Sequence, residues 1–260
     1  MLTTSAAYRL ATRDLPRTLE RTQAEPSVAL ETKYYLDNIG AVKSIDDLVK
    51  NTRLFTYAMK AFGLEDMASA KAFMRKVVAE GVSASNSFAN RLADDRFVAF
   101  AQTFSFPDDG DATTSKTEAV QGVTDRYVRQ SLETEAGETN DGVRLALYFL
   151  REAPTVKSAY GLLGDDALWK VIQTVFGFPD AMANADIEKQ AAAVTARLDI
   201  ADLKDPEKLD KLIQRFTAVW DATEVAAADP VLNLFTNSGS TTSVDLDLIM
   251  TLNSLKHGGA

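Results

Sequence analysis

The sequence lacks cysteine altogether and contains a single histidine. Without cysteine the chain has no disulfide, no thiolate ligand for a metal ion and no cysteine nucleophile. The one histidine, His257, lies in the segment Lys256-His257-Gly258-Gly259, where nothing would hold the orientation of its ring. A histidine-based triad and a histidine-rich metal site are therefore excluded, and we expect neither a metal nor a cofactor.

Long apolar runs are missing too. Arg9, Arg13 and Arg17 interrupt residues 1–19, so no signal-peptide core forms there, and no later stretch is long enough to span a membrane. We therefore expect no membrane insertion, and we predict either a cytoplasmic protein or one that is exported without a cleaved signal.

Basic side chains are fewer than acidic ones. The 260 residues include 28 basic and 37 acidic side chains, and the formal net charge of -9 repels phosphate backbones, so we expect no nucleic-acid partner. Arg9, Arg13, Arg17 and Arg21 follow one another at intervals of four along a predicted N-terminal helix. This spacing is typical of a solvated helix face.

What the sequence does contain is an internal similarity. At a constant offset of 114, Tyr34, Val42, Leu48, Leu54, Phe62 and Gly63 correspond to Tyr148, Val156, Leu162, Leu168, Phe176 and Gly177. At an offset of 112, Phe97, Phe100, Gln102 and Phe104 correspond to Leu209, Leu212, Gln214 and Phe216. The matched positions are mostly large and apolar, as two copies of one packing scheme would require. We therefore predict two diverged copies of one multi-helix module, with Phe62 and Phe176 in equivalent buried sites.

The predicted copies cover residues 5–105 and 117–222. The polar stretch 107–111 joins them and is typical of a loop, while residues 224–260 form a tail outside the repeat. The sequence does not decide whether the two copies form one domain or two.

Local signals within the copies are those of helices. Ser44 precedes two aspartates, which predicts a helix start, and the apolar spacing of residues 54–62 predicts a helix that ends at Gly63. Pro206 fits the first turn of a further helix. Hairpin turns flanked by alternating β-branched residues are missing. We therefore predict an all-α fold.

Carboxylates are abundant, but their spacing does not indicate catalysis. The aspartate pairs at 46–47, 94–95 and 165–166 are neighbours on predicted helices and would not face each other, so they indicate charge at helix starts and not a glycosidase pair. The segment 161–164 lacks the lysine of a phosphate-binding loop, and residues 108–111 lack the glycine and glutamate of a calcium loop at the required positions. We predict no catalytic residue and no cofactor-binding residue.

The tail is the predicted partner-binding element. Two apolar stretches flank the polar residues 237–242, which is the pattern of a partly flexible tether with an apolar end that enters a groove of a protein partner. The second stretch fits a helical face, although its alternation also fits a strand. In the alternative interpretation the tail packs back onto its own chain. The candidate partner-binding residues are Leu234, Phe235, Leu248, Leu252 and Leu255.

Longer segments resemble a known family. They include Val42-Lys43-Ser44-Ile45-Asp46-Asp47-Leu48, Tyr57-Ala58-Met59-Lys60-Ala61-Phe62-Gly63-Leu64 and Gly142-Val143-Arg144-Leu145-Ala146-Leu147-Tyr148-Phe149. With them the chain resembles, over nearly its whole length, the alphaproteobacterial family catalogued as domain of unknown function 1217, whose genes often lie among flagellar genes. The resemblance brings no catalytic residue with it.

The resemblance implies a role in flagellar assembly or motility. The first expectation is a non-enzymatic helical structural or adaptor protein that binds a protein partner. One alternative is an exported axial component that leaves the cell by the flagellar secretion route. Another is a peptidoglycan hydrolase, which would need two convergent carboxyl groups in an acidic cleft. The partner and the oligomeric state are not predicted.

Overall fold

A computed structural model describes residues 2–92 and 94–228, with side chains described as far as residue 223. Within these ranges every regular element is a helix or a helical turn and no strand occurs, so the prediction of an all-α fold is confirmed. Internal contacts divide the chain into Met1–Val219 and Trp220–Ala260. The predicted copies therefore lie in the first unit, apart from residues 220–222.

The helices are listed here in chain order. They are α1 (Thr4–Thr12), α2 (Leu15–Gln23), α3 (Pro26–Ile39), α4 (Ile45–Lys50), α5 (Thr52–Ala61), α6 (Lys71–Ala79), α7 (Asp95–Thr103), α8 (Phe106–Asp109), α9 (Val123–Thr139), α10 (Asp141–Glu152), α11 (Ala159–Leu163), α12 (Asp166–Phe176), α13 (Ile187–Thr195) and α14 (Pro206–Ala228). Short 3-10 turns and one π turn, Glu118–Gly122, occupy several of the connections.

Side-chain caps begin several of these helices. The Ser44 hydroxyl accepts a hydrogen bond from the Asp47 N–H over 3.1 Å, which satisfies one orphan N–H at the start of α4, and it donates to the Asp47 carboxylate. Asp165 caps α12 by accepting the N–H groups of Ala167 and Leu168. The predicted helix starts at Ser44 and Pro206, and the stop at Gly63, are confirmed.

The N-terminal arginines lie on two helices, and the prediction of one continuous helix is wrong. The helix breaks at Asp14, between α1 and α2. The carboxylate of Asp14 accepts a hydrogen bond from the Arg17 N–H at 3.2 Å. Pro16 occupies the first turn of α2, where its missing N–H is tolerated, whereas it could not continue α1 without losing a hydrogen bond.

The stretch 107–111 is not a loop. Residues Phe106–Asp109 form the one-turn helix α8, and Gly110–Ser115 follow as a 3-10 turn. Pro107 fits the first turn of α8, and the Ser105 hydroxyl donates to the Asp108 carboxylate at 2.8 Å, which favours the helical turn. Asp108 and Asp109 therefore belong to a short helix, and Asp111 belongs to the 3-10 turn that follows it.

The first half of the chain has an aromatic core. α9 packs against α5 and α10, and α10 packs against α12. Tyr57 stacks between Tyr35 and Tyr127, with ring centroids 4.5 and 3.8 Å apart. The Tyr35 hydroxyl donates to the carbonyl of Ala119 at 2.6 Å, so this buried polar group is satisfied.

Phe62 and Phe176 differ in burial, so the prediction of two equivalent buried sites is wrong. Phe62 is 4% exposed and contacts Phe100 and Phe104, with centroids 5.3 and 6.3 Å away, whereas Phe176 is half-buried. The position matched to Phe100 holds Leu212, which is itself half-buried and has no ring to cover Phe176. The second half thus packs less tightly around its phenylalanine.

None of the helices within the described residues is both long enough and apolar enough to cross a membrane.

Candidate functional site

The predicted partner-binding residues fall outside the part of the chain that the structure describes. Leu234, Phe235, Leu248, Leu252 and Leu255 all lie beyond residue 228. Their role remains a prediction, and two features of the described residues become the candidate sites.

The first feature is a cavity of about 260 Å³, here called the central cleft. It lies between α7 and the segment from α10 to the start of α12, with Phe62 and Arg126 also in its wall. Its cationic side chains are Arg96, Arg126 and Lys157, and its carboxylates are Asp94, Asp95, Glu152 and Asp165. The cleft is therefore lined by charges of both signs.

Arg96 holds one wall of the central cleft. Its guanidinium donates to both carboxylate oxygens of Asp94, at 2.7 to 3.0 Å, and to the carbonyl of Gly63 at 2.7 Å. Burial alone would lower the pKa of Arg96, but the hydrogen bonds and charge of Asp94 raise that pKa above its usual range. The pair joins the start of α7 to the end of α5.

Tyr148 and Asp165 form another part of the lining, close to Arg96. The Tyr148 hydroxyl donates to the Asp165 carboxylate at 2.5 Å, and the same carboxylate accepts the N–H groups of Ala167 and Leu168 at 2.9 Å. Burial, and then the negative charge of Asp165, raise the pKa of Tyr148 well above its usual value. Asp165 therefore fixes α10 to the N-terminus of α12.

A buried ion-pair cluster lies next to this part of the lining. Glu133 is 1% exposed and accepts two hydrogen bonds from Arg151, at 2.8 and 2.7 Å. Arg151 also donates to Gln130 at 3.1 Å and to Glu152. Arg129 Nε lies 3.4 Å from Glu133 Oε1 but makes no hydrogen bond, and burial lowers the pKa of Arg129. Two cations thus share one buried carboxylate.

The carboxylates of the central cleft mostly act as caps and ion-pair partners. Asp94 caps α7 and pairs with Arg96, Asp165 caps α12 and binds Tyr148, and Glu152 pairs with Arg151. Asp95 is exposed in the first turn of α7. The prediction that the aspartate pairs mark helix starts is confirmed at Asp94 and Asp165.

Sequence reasoning missed Glu133 and Arg151 as a pair. The two residues are 18 positions apart and meet only because α9 packs against α10. The one local signal was Arg129, which precedes Glu133 by one helical turn. That spacing alone does not predict burial.

The second feature is a groove of about 560 Å³ along α1 and α2, here called the N-terminal groove. It is lined by Leu10, Arg13, Asp14, Arg17, Thr18, Glu20 and Arg21. Leu10 is 65% exposed, and the three arginines are exposed as well. Among the described residues, no carboxylate forms an ion pair with any of these arginines.

The fold and these sites define an all-α protein with a polar cleft that its own ion pairs brace. The family model described as "Protein of unknown function (DUF1217)" matches residues 61–209, a range that contains the central cleft but not the N-terminal groove. The chain belongs to this family.

A solved structure is similar to the chain over most of its length. It is an X-ray crystal structure of a protein from Agrobacterium tumefaciens, 49% identical in sequence, with a TM-score of 0.79. The match covers 86% of this chain and 97% of the Agrobacterium protein. The comparison with curated proteins finds no match.

Proposed function

We propose that the protein is a non-enzymatic helical structural or adaptor protein that binds a protein partner. The observation that carries the proposal is a contrast between the two candidate sites. In the central cleft Asp94, Arg96, Glu152 and Asp165 bind one another, Arg151, Tyr148 or helix N-termini, and the exposed Arg126 and Lys157 form no ion pair with the described residues. In the N-terminal groove all three arginines are exposed and form no ion pair with the described residues. Exposed charge is available to a partner, and paired charge is not.

The arrangement of carboxylates in the central cleft fits a structural role better than the function of a peptidoglycan hydrolase. A glycosidase needs one carboxyl group to donate a proton and a second to act as base or nucleophile. Asp94 and Asp165 each accept hydrogen bonds that fix them to their own helices, and Glu152 pairs with Arg151. These carboxylates therefore suit the stiffening of the cleft walls.

Internal duplication is a further part of the proposal. The hydroxyl of Tyr34 forms hydrogen bonds of 3.2 and 3.4 Å with the amide of Asn51, the cap of α5, and the hydroxyl of Tyr148 donates to Asp165, the cap of α12. These pairs are separated by the offset of 114. At the same offset, Gly63 and Gly177 follow the two helices with φ of 67° and 63°. Superposition of residues 34–64 on 148–178 tests the duplication, which fails if the caps and glycines do not coincide.

The flagellar setting is an expectation from the family resemblance. We propose a cytoplasmic protein that acts in flagellar assembly or motility, with export by the flagellar route as the alternative. The test is affinity purification of the tagged chain from motile cells, with and without residues 224–260. Recovery of defined flagellar proteins supports the proposal, and their loss on truncation would assign the contact to the predicted tail residues.

The same preparation separates the alternatives. An axial component would appear in filaments or hooks shed into the medium, and a hydrolase would release soluble fragments from purified peptidoglycan. Either result would contradict the adaptor function. Recovery of no partner from motile cells would contradict it as well.

A further inference from the structure

We propose that the N-terminal groove binds an acidic, amphipathic helical segment of its protein partner. This inference rests on the proposed adaptor function and names the chemistry of the contact. It starts from a reversal of charge along the chain. Residues 1–24 contain four arginines and two acidic residues, and the remaining 236 residues contain the other 24 basic and 35 acidic side chains of the totals of 28 and 37.

The charge reversal orients an approaching partner. An acidic segment is repelled by a protein with a net charge of -9, except where a basic surface faces it. The N-terminal groove is such a surface, because Arg13, Arg17 and Arg21 are all exposed along it. Complementary charge of this kind raises the rate of encounter and selects one orientation.

The spacing of the arginines matches a helix. Arg17 and Arg21 lie one turn apart on α2, and residues at this spacing have Cβ atoms about 5–6 Å apart. Arg13 lies at the end of α1, before the break at Asp14, so it does not continue this helical row. A partner helix with a carboxylate at every fourth position would repeat at the interval of Arg17 and Arg21 and could meet these two cations in register.

The groove also contains two acidic side chains, which reduce its positive charge but do not cancel it. Asp14 caps α2 and Glu20 is exposed, and each offsets one of the three arginines. Glu25, outside the lining, also interacts with the charge of Arg21. The lining keeps a small excess of positive charge.

Leu10 adds an apolar contact beside the cations. A single exposed leucine is ordinary on a protein surface. Here Leu10 is 65% exposed and lines the same groove as the arginines, so an occupant would meet apolar and cationic groups together. An amphipathic segment with leucine next to its carboxylates satisfies both.

A short acidic segment fits these observations better than an anionic lipid surface. A flat membrane would face a broader surface of a protein whose net charge is negative, whereas a segment in the groove would face only its lining. The inferred occupant is therefore a helix of a protein.

Arg17→Glu is the variant that tests the groove without threatening the fold. Arg17 occupies the third position of α2, three residues after the cap Asp14. Glutamate is favoured at that position, both by the helix dipole and by the reciprocal hydrogen bond of a capping box. The variant is expected to fold at least as stably as the wild type. A second variant changes Arg13, Arg17 and Arg21 to glutamine.

The measurement is fluorescence anisotropy of a labelled helical peptide with the full-length chain. The peptide has about 16 residues, enough to form a helix, with glutamate at every fourth position beside a stripe of leucine. Its control carries glutamine in place of glutamate. We expect the glutamate peptide to bind, about fivefold more weakly to Arg17→Glu and more than about tenfold more weakly to the triple glutamine variant. Lys189→Glu makes the same charge change on α13 and is expected to leave binding unchanged.

Several outcomes would overturn the inference. One is equal binding of the glutamine peptide, and another is equal affinity for the triple variant. A third is arginine-dependent binding to phosphatidylglycerol vesicles without binding of the peptide, which would make the ligand a membrane. Arginine-dependent self-association without peptide binding would show that the ligand of the groove is a second copy of this chain. If the peptide fails while the tagged chain still recovers its partner, this inference falls and the adaptor function stands.

Discussion

The central cleft and the N-terminal groove both contain arginine, but they use it differently. In the central cleft Arg96 is held by both oxygens of Asp94 and by the carbonyl of Gly63, while the exposed Arg126 lies over the ring of Phe62. In the N-terminal groove Arg17 is exposed on one surface helix and forms no ion pair with the described residues. The first arrangement holds helices together, and the second leaves charge for another molecule. Substitutions should therefore affect stability at one site and binding at the other.

The largest effect is expected at the buried cluster beside the cleft. Glu133→Gln leaves Arg129 and Arg151 without their shared carboxylate, and breaking a buried pair in this manner costs about 3–5 kcal/mol of unfolding free energy. Urea unfolding measures the loss. Glu138→Gln, at an exposed site on the same helix, should change it by less than about 0.5 kcal/mol. Equal losses in the two variants would contradict the role of Glu133.

The cleft wall formed by Phe62 is expected to contribute on a similar scale. Phe62→Ala should cost about 3–5 kcal/mol, the usual range for a core phenylalanine. Phe176→Ala should cost about half as much, because its ring is half-buried. Thermal and urea unfolding of the two variants measure both losses of unfolding free energy. A larger loss at Phe176 would show that the second half packs more tightly around its phenylalanine.

Alkaline pH should weaken the attachment of α1. Burial, and then the charge of Asp210, raise the pKa of Tyr8 from 10.0 to about 12, while nearby Arg129 opposes the shift. The folded chain keeps this proton longer than the unfolded chain, so the contribution to stability is complete below pH 10 and is lost as pH rises from 10 toward 12. From pH 9 to pH 12, the wild type should lose roughly 2–3 kcal/mol more than Tyr8→Phe. An equal loss in both would exclude Tyr8 as the cause.

The paired tyrosines give a matched test of the two halves. Tyr148→Phe removes a 2.5 Å hydrogen bond to a charged carboxylate and should cost about 1.5–3 kcal/mol. Tyr34→Phe removes longer hydrogen bonds with a neutral amide, 3.4 Å to Asn51 Oδ1 and 3.2 Å from Asn51 Nδ2, and should cost less than about 1 kcal/mol. The difference in urea midpoints measures the stronger bracing at the cleft. A reversed order would contradict it.

The smallest effect on stability is expected at the N-terminal groove. The triple variant with glutamine at Arg13, Arg17 and Arg21 removes exposed charges that form no ion pair with the described residues, so its unfolding free energy should stay within about 0.5 kcal/mol of the wild type. Circular dichroism and urea unfolding provide the check. A loss of several kcal/mol would mean that these arginines brace the fold after all.

The helix boundaries that the sequence predicts correctly follow from local sequence signals. Ser44 before two aspartates, Pro206 in a first turn and Gly63 after an apolar stripe each depend on neighbours a few residues away, and the structure confirms all three. The sequence Asp14-Leu15-Pro16 is an equally local signal for the start of a new helix, but the prediction of one continuous helix followed the arginine spacing instead. That local signal places the break between α1 and α2, and with it the N-terminal groove.

The candidate sites depended on contacts that the sequence does not encode locally. Glu133 meets Arg151 across two packed helices, and Arg96 reaches the carbonyl of Gly63 over 33 positions. A carboxylate that is exposed in one packing is buried in another, so residue type and spacing could not identify these partners. The half-burial of Phe176 has the same origin, because it depends on which side chain of α14 faces it.

The most direct test of the account is quantitative capture of the partner by the tagged chain from motile cells. The wild type is compared with the triple glutamine variant and with Lys189→Glu, after all three are shown to unfold at the same urea concentration. We predict that the triple variant loses the partner while Lys189→Glu retains it. Equal recovery by all three would contradict the claim that the exposed arginines of the N-terminal groove make the functional contact.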